Sequence, residues 1–154
     1  MSIVMTYLAT PEAVREHWPL CLPHIERCVR EAVRGEYTAE DLFERAVSGL
    51  ALPFFARDEH GEVVLAGALE QVFYSRYKTV NVVCLSGGNL QDVAADCFEE
   101  MKRFASSIGA EYLEASAAPA MARLLGRIGF EPAYQVVRLP LRGNHAEVPA
   151  VLAV

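Results

Sequence analysis

A chain of 154 residues that is 53% hydrophobic and 22% charged carries enough apolar material for one globular domain with its own core. Its net charge of −6, with a pI near 5.2 and no Lys/Arg run, excludes nucleic acid as the default partner, because phosphate binding needs clustered cations. No apolar segment approaches the roughly 20 residues that span a bilayer, and no basic stretch followed by an apolar one opens the chain, so a cytoplasmic setting is expected.

Ile3 to Leu8 (IVMTYL) reads as a first strand. Thr10-Pro11-Glu12 then supplies a capping hydroxyl, a proline for the first helical position and an acid for the first turn. The helix is expected to stop near Trp18, because Pro19 disfavours helical geometry in the residue before it, and to restart at Pro23. Ile25, Cys28, Val29 and Ala32 mark one face of the second piece, which Gly35 ends. Trp18 reads as a packing anchor beside that apolar face. Thr38-Ala-Glu-Asp41 resembles a capping box, with Asp where Glu or Gln is usual. A short helix follows with Leu42, Phe43, Ala46 and Val47, and Gly49 stops it.

Leu52 to Arg57, a turn at Asp58-Glu-His-Gly61, Val63 to Tyr74 and a turn at Ser75-Arg-Tyr-Lys78 lead into Val80–Leu85, an antiparallel meander. Val80, Val82, Val83 and Leu85 are the β-branched and apolar run of a central strand, with Asn81 its one polar side chain, there to hold a bulge, bind a ligand or satisfy local backbone groups. Gly87-Gly88 breaks the strand. Asn89 or Asp92 caps a long amphipathic helix, from about Asp92 to Ile108, which buries Val93, Cys97, Phe98, Met101, Phe104 and Ala105. A strand that feeds a glycine turn into a helix N-terminus is where backbone N–H groups can meet an anion.

Glu111 to Ala115 is the next strand, and the crossover helix before it makes it parallel to Val80–Leu85. A helix from about Pro119 carries Met121, Leu124, Leu125 and Ile128, Gly129-Phe130 ends it, and Tyr134 to Leu141 (YQVVRLPL) is a last strand. In the tail, residues 142–154, the VPAVLAV end either adds an edge strand or stays loose. Nothing marks a second domain, so one domain over 1–154 is expected. Cys21, Cys28, Cys84 and Cys97 form no CxxC pair and fall on apolar stripes or strands, which points to reduced core thiols. His17, His24, His60 and His145 are scattered without ligand spacing, so no metal site is expected.

This order of elements over about residues 3–141 resembles the GCN5-related N-acetyltransferase (GNAT) family. ASSIGAEYLEA resembles that family's stretch into its fifth strand, and Gly129-Phe130-Glu131-Pro132 its GFEP-type corner. LSGGNLQDV resembles the shortened loop of GNAT-like proteins encoded by phages and prophages. The resemblance implies an α/β, acyl-CoA N-acyltransferase fold with a mixed central sheet of about six strands and helices on both faces. It also implies a coenzyme site at Leu85, Ser86, Gly87, Gly88, Asn89, Leu90 and Ala94, where family members hold the coenzyme A pyrophosphate on backbone N–H groups. The family's Gln/Arg-x-x-Gly-x-Gly/Ala pattern falls on Asn89, Asp92 and Ala94, of which Ala94 alone fits. The loop has no Lys or Arg, and Asp92 brings a negative charge to the anion site.

The family's thiolate-protonating tyrosine aligns with Leu125, which has no proton to give, and the asparagine that often opens the same helix aligns near Ala118. Glu114 and Glu70 are the acids available as a general base, and Tyr134 the stand-in for the missing acid. Two functions follow as expectations. One is a phage-type GNAT relative with a degenerate acetyl-CoA site, binding the coenzyme weakly or not at all and acting through a protein partner, in a bacterial host's cytoplasm or with the virion. The other is a working acetyl-CoA-dependent N-acetyltransferase of a primary amine, with backbone N–H groups near Leu85 polarising the thioester carbonyl.

Overall fold

The computed structural model describes residues 2–141. Its elements are β1 (Val4–Tyr7), α1 (Pro11–Glu31), α2 (Ala39–Val47), β2 (Leu52–Arg57), β3 (Val63–Phe73), β4 (Lys78–Gly87), α3 (Leu90–Ser107), β5 (Tyr112–Ala115) and α4 (Pro119–Arg127). The strands lie side by side in the order β1-β2-β3-β4-β5. The first four are antiparallel neighbours, and β5 runs parallel to β4. The meander and the crossover about Val80–Leu85 are therefore as the sequence predicts.

Alternation along the strands sends side chains to two layers. Phe54, Leu65, Val80 and Val82 meet Val93, Cys97, Phe98 and Met101 of α3 and Leu125 of α4 on one face. Phe55, Ala66, Ala68 and Cys84 meet Val14, Cys21, Ile25 and Cys28 of α1 and Leu42 and Ala46 of α2 on the other. This is the mixed sheet with helices on both faces that the sequence predicts. All four cysteines are buried and free.

Three predicted details differ. First, α1 runs unbroken through Pro19 and Pro23. Both prolines are exposed, so the carbonyls that lose their helical donor, on Arg15 and Pro19, face water and are satisfied there. The buried stripe of Val14, Cys21, Ile25 and Cys28 outweighs the local preference for a break. Second, Asn89 sits at the N-cap of α3 without a side-chain hydrogen bond, and Asp92 lies in the first turn. Neither side chain caps the helix, whereas Thr10 and the Thr38–Asp41 box do cap theirs.

Third, the predicted strand Tyr134–Leu141 has no regular structure. Tyr134, Val136, Val137, Leu139 and Leu141 are 72–89% exposed. The reason is that a strand is a pairing, and β-propensity alone does not supply the neighbouring backbone. The segment is held instead by the Arg138 Nη2 bond to Glu36 Oε1 at 3.0 Å. The tail at 142–154 lies outside the described residues.

Tyr7 stacks on Phe104 at 4.7 Å, but its hydroxyl is buried with no partner among the described residues. Burial, helped by Cys97 and Glu100, pushes its phenol up to about 12. Tyr7→Phe removes an unsatisfied group without changing the ring. It is expected to stabilise the protein by about 1 kcal/mol in urea unfolding at neutral pH. A raised folded-state pKa means Tyr7's contribution is intact below pH 10 and lost as the pH climbs through 12. The gain on substitution should therefore widen at alkaline pH, and a loss at either pH refutes the unsatisfied hydroxyl.

Candidate functional site

The site is built on the way β4 leaves β5. Pairing between them stops at Val82 with Ala115, while β4 continues to Gly87. Over that same stretch β4 carries a bulge: Leu69 faces Val82 and Ala68 faces Cys84, leaving Val83 as the extra residue. Below the bulge, even-numbered residues turn their backbone toward β5, as the Glu111 N–H bond to the Lys78 carbonyl shows at 2.9 Å. One inserted residue reverses that parity. Above it, the backbone groups of Val83 and Leu85 face the gap that β5 has vacated.

The Val83 carbonyl is taken by a side chain of the chain itself. Tyr37, in the connection between α1 and α2, donates its hydroxyl to the Val83 carbonyl at 2.9 Å. Burial, followed by the nearby Cys84 and Cys28 thiols, pushes the Tyr37 phenol well above the usual tyrosine range, so it stays a neutral donor. Sequence reasoning missed Tyr37. It lies in a helix–helix connection with no motif, and only the tertiary fold brings it to β4.

At the head of α3, Ser86 and Gly87 are buried while Gly88 and Asn89 are exposed. A Cβ on Gly87 would lie 2.5 Å from the Val64 carbonyl oxygen and 2.8 Å from Leu65 Cβ. This glycine is demanded by β3. Gly88 has nothing within 4 Å of such an atom. Leu85 and Leu90 are half-buried against the α3-side core, and Ala94 is part of that core at 1% exposure. Leu125, at the position of the family's acid, is also core, at 5% exposure.

The first-turn N–H groups of α3 have no side-chain cap, which suits an anion. Against that stand the exposed carboxylate of Asp92, the lack of any Lys or Arg from Cys84 to Ala94 and the Val83 carbonyl taken by Tyr37.

The predicted acids lie away from this turn, on the strands that flank β4. Asn81 is the register partner of Glu70 on β3 and of Glu114 on β5, so the three form a row across one sheet face, with the carboxylates two strands, about 10 Å, apart. Glu70 is engaged by Arg45 of α2, Nε to Oε1 at 2.8 Å. Glu114 is the main cause of a raised pKa at Tyr74, with nearby Tyr134 a lesser one. Glu114 and Tyr134 are thus brought together through Tyr74, at the β3–β4 hairpin. That end of β4 is nine residues from Gly87, about 30 Å by strand rise. Tyr134 does not reach the β4–α3 turn.

Around the hairpin lies an exposed aromatic patch. Phe73, Tyr74, Tyr77, Tyr112 and Tyr134 are 37–78% exposed, with Tyr77 in ring contact with Tyr74 at 5.4 Å and Tyr112 at 5.2 Å. A separate concavity of about 530 Å³ between α1 and α2 is lined by Trp18, Leu22 and Phe43 among others, and shares no residue with the β4–α3 turn. Trp18 packs on Phe43 there at 5.2 Å. Among the described residues no group of His, Cys, Asp or Glu is arranged to hold a metal ion, and no helix is long and apolar enough to cross a membrane.

No protein-family model and no curated protein matches the chain. Solved structures do. A GCN5-related N-acetyltransferase from Ralstonia eutropha is similar at 16% identity and a TM-score of 0.68, covering 92% of this chain and 100% of that one. An aminoglycoside acetyltransferase from an uncultured soil metagenomic sample, solved with sisomicin, is similar at 13% identity and 0.67, covering 92% and 97%. A predicted acetyltransferase from Clostridium acetobutylicum, solved with acetyl-CoA, is similar at 10% identity and 0.65, covering 94% and 99%. The chain has the GNAT fold.

Proposed function

We propose that this GNAT-fold protein has a degenerate acetyl-CoA site and works by binding a partner protein, as the phage-encoded relatives suggested by its LSGGNLQDV loop would. The observation that carries the reading is the filled gap above Val82: Tyr37 donates to the Val83 carbonyl, a β4 backbone group that a pantetheine arm would need. The missing cation in the loop and the apolar Leu125 support it. The aromatic patch at the β3–β4 hairpin is the candidate partner surface, since exposed clusters of tyrosine and phenylalanine mark interfaces more often than solvated faces. Such a protein would work in the bacterial cytoplasm or with the virion.

A second reading, acetyl transfer to a primary amine, is favoured by one feature. The Glu70–Asn81–Glu114 row puts two carboxylates beside the bulge, where a cationic amine would be attracted. Calorimetric titration with acetyl-CoA separates the two. Binding is expected in the high-micromolar range or weaker, worth about 4–6 kcal/mol, with little shift in Tm. Low-micromolar binding overturns the first reading and promotes the second.

A further inference from the structure

We propose that the concavity between α1 and α2 is a binding site for a small organic cation, a substituted ammonium carried on an aryl or alkyl body. This goes beyond both readings above and depends on neither, since the site shares no residue with the β4–α3 turn or with the hairpin patch. Its volume of about 530 Å³ falls in the range that small-molecule sites occupy.

One wall is α1. Trp18, Leu22 and Glu26 line the concavity, and each follows the last by one helical turn, so they stand along a single stripe of that helix. The start of α2 forms the other wall, with Ala39, Glu40 and Phe43. Trp18 and Phe43 are half-buried, and their rings meet at 5.2 Å with a tilt of 51°. Two tilted rings make a corner rather than a closed stack, which leaves aromatic surface for a guest. Glu26 and Glu40, one from each helix, are exposed and form the rim.

Charge decides what the guest is. The lining holds no Lys, Arg or His. Arg27 of α1 and Arg45 of α2 are engaged by Glu31 at 3.4 Å and Glu70 at 2.8 Å. Neither Glu26 nor Glu40 has a hydrogen-bond or ion-pair partner among the described residues. An anion would meet two carboxylates with no cation to offset them. A metal ion would lack ligands, since no group of His, Cys, Asp or Glu among the described residues is arranged to hold one. A neutral apolar guest would strip water from both carboxylates without replacing it. A cation gains from the carboxylates and from the negative faces of the rings, of which indole is the strongest. That attraction needs charge and not an N–H. A fully substituted nitrogen, which cannot accept an acyl group, therefore binds as well as a primary amine.

Trp18 is the one tryptophan of the chain, so its fluorescence reports on this concavity. Titration of the full chain with benzyltrimethylammonium is expected to give a saturable change in the millimolar range or tighter. Benzyl alcohol, which keeps the ring and lacks the charge, should bind about tenfold more weakly, and phenylacetate should not bind. Glu26→Gln combined with Glu40→Gln keeps the side-chain size and removes both charges. It should weaken the ammonium about fivefold or more while the circular dichroism spectrum stays that of the parent. No saturable change, equal binding of benzyl alcohol, or a folded double variant that binds as the parent does overturns the proposal. The series of three probes on the wild-type protein decides even if the variant fails to fold.

Discussion

Gly67→Ala is expected to lower the unfolding free energy by about 3 kcal/mol or more. A Cβ at Gly67 would stand 2.1 Å from the Cys84 carbonyl oxygen and 2.8 Å from Cζ of Phe54. The first neighbour is backbone of the adjacent strand, and the second is a ring with no exposed surface. Neither can swing aside as the end of a flexible side chain would, so β3 and β4 must part beside the bulge. Gly88→Ala is the matched control. Nothing lies within 4 Å of its added atom and its φ is not positive, so the change should stay within about 0.5 kcal/mol. Chemical denaturation of both variants checks the contrast. A Gly67→Ala protein as stable as its parent means that the strands do not approach this closely.

The other large effect is on coenzyme affinity. On the proposed reading, Tyr37→Phe frees the Val83 carbonyl for a ligand N–H, and Asp92→Gly removes the like charge at the head of α3. Each change is worth about 1 kcal/mol to a bound anion with an amide-bearing arm. The sites are separate, so the effects should nearly add. The double variant is expected to bind coenzyme A about tenfold or more tightly than the parent. Stability should move the other way, by about 1–3 kcal/mol, because a buried carbonyl loses its donor and glycine enters a helix. Titration at low salt, where the charge effect is unscreened, gives both numbers. Equal affinity in parent and double variant refutes an inherited coenzyme site at this turn.

Features written in neighbouring residues were legible in the sequence. Thr38 and Asp41 form their box three residues apart, with both bonds present at 2.9 and 3.1 Å. The meander and crossover follow from turn residues and from the apolar period of α3. Pro19 and Pro23 misled because local preference was outweighed by the buried stripe of α1. Asn89 and Asp92 have capping chemistry, but whether they use it depends on backbone angles at the turn. YQVVRLPL has the composition of a strand, yet the partner backbone that would make it one is not encoded in those residues. The bulge at Val83 and its contact with Tyr37 join positions 46 apart in the chain, and no local pattern carries such a meeting. Of the candidate site, then, the turn and the acids could be read, and what fills the gap could not.

The bare run from Tyr134 to Leu141 has a consequence outside the folded structure. Val136, Val137, Leu139 and Leu141, more than 70% exposed, are the kind of extended apolar stretch that holding chaperones grip and proteases cut. A chain that carries one continuously is triaged in the cell even while the rest of it is correctly folded. On the proposed partner-binding reading, its abundance is expected to become a readout of company, low when it is made alone and higher when it is made alongside a protein that shields that run.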